Sequence, residues 1–309
     1  MKTKPRKPSR KSEKHLGHGS HWGALGLGDV GNALPFLHEA VRNAPKVDSF
    51  SPPWPRSPFP SLTQLEWPQA PLSFSTIVGR DDAAKTNVVL SAFPTLTKTA
   101  EWIVRVDGIL DSYGAVEGVV EGNAASGHPL QWFAPRFGFE VEHWRKPGLA
   151  RVAFAALALR IERFDAKPIV VREGPLIQMR RNELRAEGNA EEADSDDFSV
   201  EVQTDGMRTF FSSFHDHHEF IGEVRAVRTI RPRPEFAGWL LDVEFLPDDP
   251  ESGHRMPLYV FPSALEPGYV PKRGDLVQGL AWLQGSWVRA ASSDDVRDWK
   301  KAGGEPDEK

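Results

Sequence analysis

Two parts of this chain repeat each other in the same order, and that repetition limits the fold more than any single motif. PLQWFAP (129–135) resembles PLYVFPS (257–263). Seventeen residues after Pro129 comes KPGLARVAFAAL (146–157), and fifteen after Pro257 comes KRGDLVQGLAWL (272–283). Their lysines and glycines superpose, then Phe154 with Leu280, Ala155 with Ala281 and Leu157 with Leu283. Upstream, EWIVRVDGILDS followed by GAVEGVVEG matches EFIGEVRAVRTI followed by GWLLDVEFL. Matching segments in a shared order mark a duplicated unit. Each run is apolar or alternating and is bounded by turn residues, as β-strands require.

Composition fits a mainly β chain. The 26 glycines and 26 prolines among 309 residues favour turns and short strands over a helical bundle. Residues 1–70 read as a disordered arm, basic and then Pro-rich, with eight prolines over 45–71. Trp54, Phe59 and Trp67 are apolar anchors that could dock this arm. Apolar spacing predicts one short helix near 32–44. A first β domain is expected over 71–167 and a second over 214–291. Between them, 168–213 reads as a helix (174–188, ending on Gly188) and an acidic linker with seven acids over 187–201. Residues 292–309 read as a charged tail.

The second β unit is similar to the OB-fold of the tRNA-anticodon and polymerase type. The residues that carry the likeness are Gly222 and Val224, LYVFP (258–262) and KRGDLVQG (272–279). A weaker related unit spans 96–163, where the first loop is only DSYG and the turn glycine lacks a following acid. The resemblance implies two tandem OB-like β-barrels. Gly274 would supply the turn, Val277 and Leu280 would face inward, and Gly279 and Gly285 would permit coiling or bulges. OB-folds carry oligonucleotides on the face of strands two and three and on two loops. By that likeness, the first loop offers Arg228, Arg231, Arg233 and Phe236, and the strands offer Trp239, Tyr259, Trp282 and Trp287. Arginines neutralise phosphates, and an exposed aromatic stacks on a base for about 1–3 kcal/mol. The same aromatics at alternating strand positions also suit a core.

Charge is uneven along the chain. Seven bases against Glu13 give residues 1–14 a net +6, so the remainder carries −11 of the chain's −5. Such an arm is either a solvated tail or a contact for nucleic acid or anionic lipid. FHDHHE (214–219) offers His215, His217 and His218, with Asp216 and Glu219, as weak metal candidates. Neighbouring strand residues point to opposite faces, so only part of that run could serve one ion. HLGHGSH spaces His15, His18 and His21 three apart. GLGDVG (26–31) satisfies G-x-G-x-x-G but lacks the preceding strand that a dinucleotide site needs. There is no Cys, no Walker A phrase and no G-x-S-x-G elbow. The expectation is a non-catalytic protein of the cytoplasm, without cofactor or membrane insertion, binding single-stranded nucleic acid such as single-stranded DNA. A protein–protein assembly module and a metal-dependent enzyme using the 215–219 run are the alternatives.

Overall fold

The computed structural model describes residues 21–28, 30–44, 46–50, 59–68, 71–81, 84–113, 116–246 and 254–304. The basic arm with His15 and His18, the proline string with Trp54, and the acids Asp82, Asp248 and Asp249 lie outside the described residues. Among the described residues, no helix is long and apolar enough to cross a membrane.

Much of the segment expected to be a disordered arm has regular structure. A 3-10 helix (His21–Leu25) leads to α1 (Val30–Asn43), near the expected helix. Ala33, Leu37 and Ala40 of α1 share one face and are buried, which is the stripe an amphipathic helix needs. Then come β1 (Lys46–Phe50), β2 (Leu62–Trp67), β3 (Leu72–Asp81) and β4 (Thr86–Leu96), paired antiparallel in that order. The reason is legible afterwards. LTQLEW (62–67) contains no proline, while Pro68 and Pro71 fall between β2 and β3. The prolines punctuate the strands rather than abolish them.

A nine-stranded sheet holds the duplicated unit. Its first half comprises β5 (Ala100–Tyr113), β6 (Glu117–Ala124), β7 (Pro129–Phe133), α2 (Phe137–Trp144) and β8 (Gly148–Arg163). The interval that follows contains β9 (Ile169–Val171), α3 (Pro175–Ala186), α4 (Ala190–Ala193) and β10 (Val200–Val202). β9 and β10 form a separate antiparallel pair. The second half comprises β11 (Thr209–Phe214), β12 (His217–Arg233), β13 (Phe236–Leu246), β14 (His254–Val260) and β15 (Leu276–Ala290). The segment expected as a charged tail begins with α5 (Ser293–Lys301).

The two halves do not close independently. β5–β6–β7 continue to β15 through a parallel contact at Phe133↔Gln284, then to β8, and β8 returns to β5. β12–β13–β14 continue to β8 through a parallel contact at Tyr259↔Leu157, then to β15, and β15 returns to β12. Each circuit therefore has five strands, and both use the β8–β15 pair. That pair runs from Val277↔Arg163 to Ala290↔Ala150 and is made from the very segments that repeat in the sequence. Gly148 and Gly274, the superposed glycines, both hold positive φ (147° and 87°) where these strands begin.

Sharing fixes the burial pattern. At one end β8 alternates between buried and half-buried positions, but Phe154–Ala158 is buried without a break. Phe154, Ala156 and Ala158 face one core with Trp132, Val224, Leu241 and Leu283. Ala155 and Leu157 face a second core with Trp22, Phe74, Phe93, Tyr259 and Trp282. The N-terminal sheet supplies that second core by covering the outer face of β8 and β15. A strand covered on both faces reads as a continuous apolar run rather than as alternation.

Candidate functional site

The covering sheet decides where the expected ligand-binding side chains lie. Tyr259 and Trp282 are completely buried, and Phe236 is 5% exposed, so none offers a ring face for stacking. This corrects the expectation for those three residues. Tyr259 instead donates its hydroxyl to the Pro71 carbonyl (2.8 Å) and accepts from the Lys98 backbone N–H (2.9 Å). Trp239 and Trp287 are half-buried and pack on the inner core. Trp287 also stacks on His143, with ring centroids 4.8 Å apart. The expected arginine loop is a tight β12–β13 hairpin. Arg233 is spent there on Glu39 (2.9 Å) and Glu235 (3.2 Å), and it lies over the rings of Phe36 and Trp67. Trp67, one of the aromatics expected to dock the N-terminal segment, meets β12 through this Arg233 contact. Phe59 lies against Gly79, where an added Cβ would meet its ring at 2.7 Å.

Arg228 and Arg231 remain exposed. Arg231 donates to the Pro234 carbonyl at 3.5 Å, which is a marginal hydrogen bond. Arg228 borders a cleft of about 310 Å³ on the β12–β13–β14 face, where the N-terminal sheet leaves that face uncovered. Lys98, Arg255, Leu240, Asp242 and Pro257 complete its main walls. Among the described residues, neither Arg228 nor the Lys98 ammonium has a hydrogen-bond or ion-pair partner, whereas Arg255 lies 3.6 Å from Glu244. Lys98 and Arg255 carry no sequence signal. One sits in a strand connection and the other beside an acid-rich loop, and only the fold gathers them around Arg228.

No family model matches the chain, and no curated protein or solved structure matches it. The G-x-G-x-x-G phrase follows a 3-10 helix rather than a strand, so the setting for a dinucleotide is missing.

A second polar group lies against the middle of β15. Asp216 sits in the β11–β12 turn, and His217 and His218 open β12 on opposite faces. His218 is completely buried and stacks on Phe210 (4.4 Å), and burial pulls its imidazole down to about 3. His217 meets His21 edge-on at 5.3 Å. His21 in turn stacks flat on Trp282 (3.7 Å, 6°), whose indole N–H donates to Asp216 Oδ2 at 2.6 Å. One potential ligand atom from each of His21, Asp216 and His217 lies within 4.8 Å of the others. Burial pushes the Asp216 carboxyl up to about 7, against the lowering effect of the Trp282 hydrogen bond. Glu117, hydrogen-bonded by Ser91, is also raised to about 7, by burial and then by the Asp216 charge. Of the candidates expected in 214–219, Asp216 and His217 belong to this group, and His21 joins them from the N-terminal segment. His215 adopts a left-handed conformation (φ 48°) and packs against Phe214.

Proposed function

We propose that this chain is a non-catalytic binder of single-stranded nucleic acid, built from two OB-like barrels that share β8 and β15. The two five-strand circuits support the barrel reading, because small OB barrels are five-stranded and use the face of their central strands for oligonucleotides. The single observation that carries the function is the cleft on that face, bordered by Lys98, Arg228 and Arg255. A cation without a protein counter-ion is available to a phosphate, and neutralising phosphates releases the counter-ions condensed on the strand. Among the described residues no aromatic ring lines the cleft, so binding rests on charge and tolerates sequence variation.

Anisotropy of a labelled single-stranded oligonucleotide tests this reading. Phosphate contacts by the two cations without a counter-ion, Lys98 and Arg228, predict a slope of about −1.4 in log K against log salt. Lys98→Ala with Arg228→Ala is expected to weaken binding at least tenfold at low salt. No binding at low salt, or binding indifferent to that pair, sinks the proposal.

One observation favours protein assembly as a second reading. β11 is the edge of the nine-stranded sheet, and it exposes Phe211 (44%) and Phe214 (57%) beside a groove of about 220 Å³. Exposed edge strands with apolar side chains are docking or aggregation sites. Phe211→Ser with Phe214→Ser would abolish self-association or partner capture under that reading and leave oligonucleotide binding intact.

A further inference from the structure

We infer that His21, Asp216 and His217 form a site for one divalent transition-metal ion of the zinc class, which pins the N-terminal segment to the start of β12. The donor set is two imidazole nitrogens and one carboxylate oxygen, all within 4.8 Å of one another. That mixture suits zinc and its first-row neighbours, whereas calcium and magnesium select oxygen ligands. Ligand atoms around zinc sit about 2.0–2.2 Å from the ion, so a rotamer adjustment closes the set.

The surroundings orient the ligands. His21 and Asp216 are each only 2% exposed, which fixes both side chains in dense packing. Trp282 holds both: its ring stacks on His21, and its N–H engages one oxygen of Asp216. Groups that hydrogen-bond or pack on metal ligands set their orientation and tune affinity. His217 Nε2 is buried and has no hydrogen-bond partner among the described residues. A buried nitrogen of that kind requires a reason, and an ion would supply one. The ligands also come from distant segments. His21 belongs to the 3-10 helix at the start of the covering sheet, and Asp216 and His217 belong to the second half of the shared sheet. A bound ion would staple two parts of the molecule, and a ligand that binds only the folded state raises stability.

The site is independent of the cationic cleft, so its test is separate. Untagged full-length protein is stripped with chelator and titrated with Zn²⁺ by calorimetry and with Co²⁺ by visible absorption. One equivalent per chain and ligand-field bands for Co²⁺ are expected, with a rise in Tm on adding Zn²⁺. His21→Gln and His217→Gln should each weaken binding at least tenfold and remove the Tm rise, while circular dichroism stays native. Asp216→Asn should do the same, and if it fails to fold the two histidine variants decide. His15→Gln with His18→Gln, and His215→Gln, should bind as the unchanged protein does. Failure to bind stoichiometrically overturns the proposal. So does binding that survives His21→Gln but is lost in the His15/His18 variant.

Discussion

Glu140 illustrates what a single buried carboxyl does to this protein. It lies on α2 at 8% exposure and accepts the Trp287 backbone N–H at 3.2 Å. Burial pushes its carboxyl up to about 8, and the Trp287 N–H, Arg136 and Trp144 only partly oppose that rise. The folded state therefore keeps a proton that the unfolded chain releases near its ordinary value of 4.5. Between pH 4.5 and 8 the folded state binds more protons, so stability must fall as pH rises through that window. Urea unfolding at pH 5 and pH 8 should show a loss on the order of a few kcal/mol. Glu140→Gln should shrink that difference to the part that Asp216 and Glu117 contribute; an unchanged difference would place the proton elsewhere. Nothing in FGFEVEHW separates Glu140 from Glu142, which is exposed and paired with Arg145 at 2.6 Å. Trp282 is similar. Its alternating position announces a strand residue but cannot say which face is wet, because that depends on the N-terminal sheet arriving from far away in sequence.

Among the elements, β15 was the most legible and also the most surprising. Its glycines were expected to allow coiling, and Gly279 does more than that. It sits between Phe220 of β12 and Ile161 of β8, and an added Cβ would meet the Arg160 carbonyl at 2.0 Å. That atom belongs to backbone and cannot swing away, so the shared pair must separate locally. Gly279→Ala should cost about 3 kcal/mol. Gly206→Ala, where an added Cβ meets nothing within 4 Å, should stay within about 0.5 kcal/mol. Equal midpoints in denaturant for both variants would contradict the close approach. α5 shows the opposite case, an element missed although its signal was present. Ser292 and Asp295 form a capping box, and Asp295 also pairs with Arg151 (2.6 Å) and Arg289 (2.5 Å). The S-x-x-D phrase was legible, but its helix is too short and charged to declare a buried face. Trp299, 3% exposed, and the ion pairs of buried Asp295 tie it down.

At the scale of the molecule, local sequence revealed the repeat but not the exchange. Strand periodicity reports which residues alternate, and it carries no information on which distant strand will close a circuit. The same blindness hid the second core, because prolines between strands were read as prolines against strands. Arg233 is the joint that tests how the two layers depend on each other. Its side chain is 11% exposed, bridges Glu39 of α1 and lies over Phe36 and Trp67. Arg233→Ala removes these contacts without touching the inner core. Pairing and cation–π contact of this partly buried kind are worth about 1–2 kcal/mol. Hydrogen exchange should therefore quicken about tenfold in α1 and β2 while the β8 and β15 amides keep their protection, because local openings follow the contacts that hold each unit. A uniform acceleration through both layers would mean that the covering sheet and the shared strands open as one body.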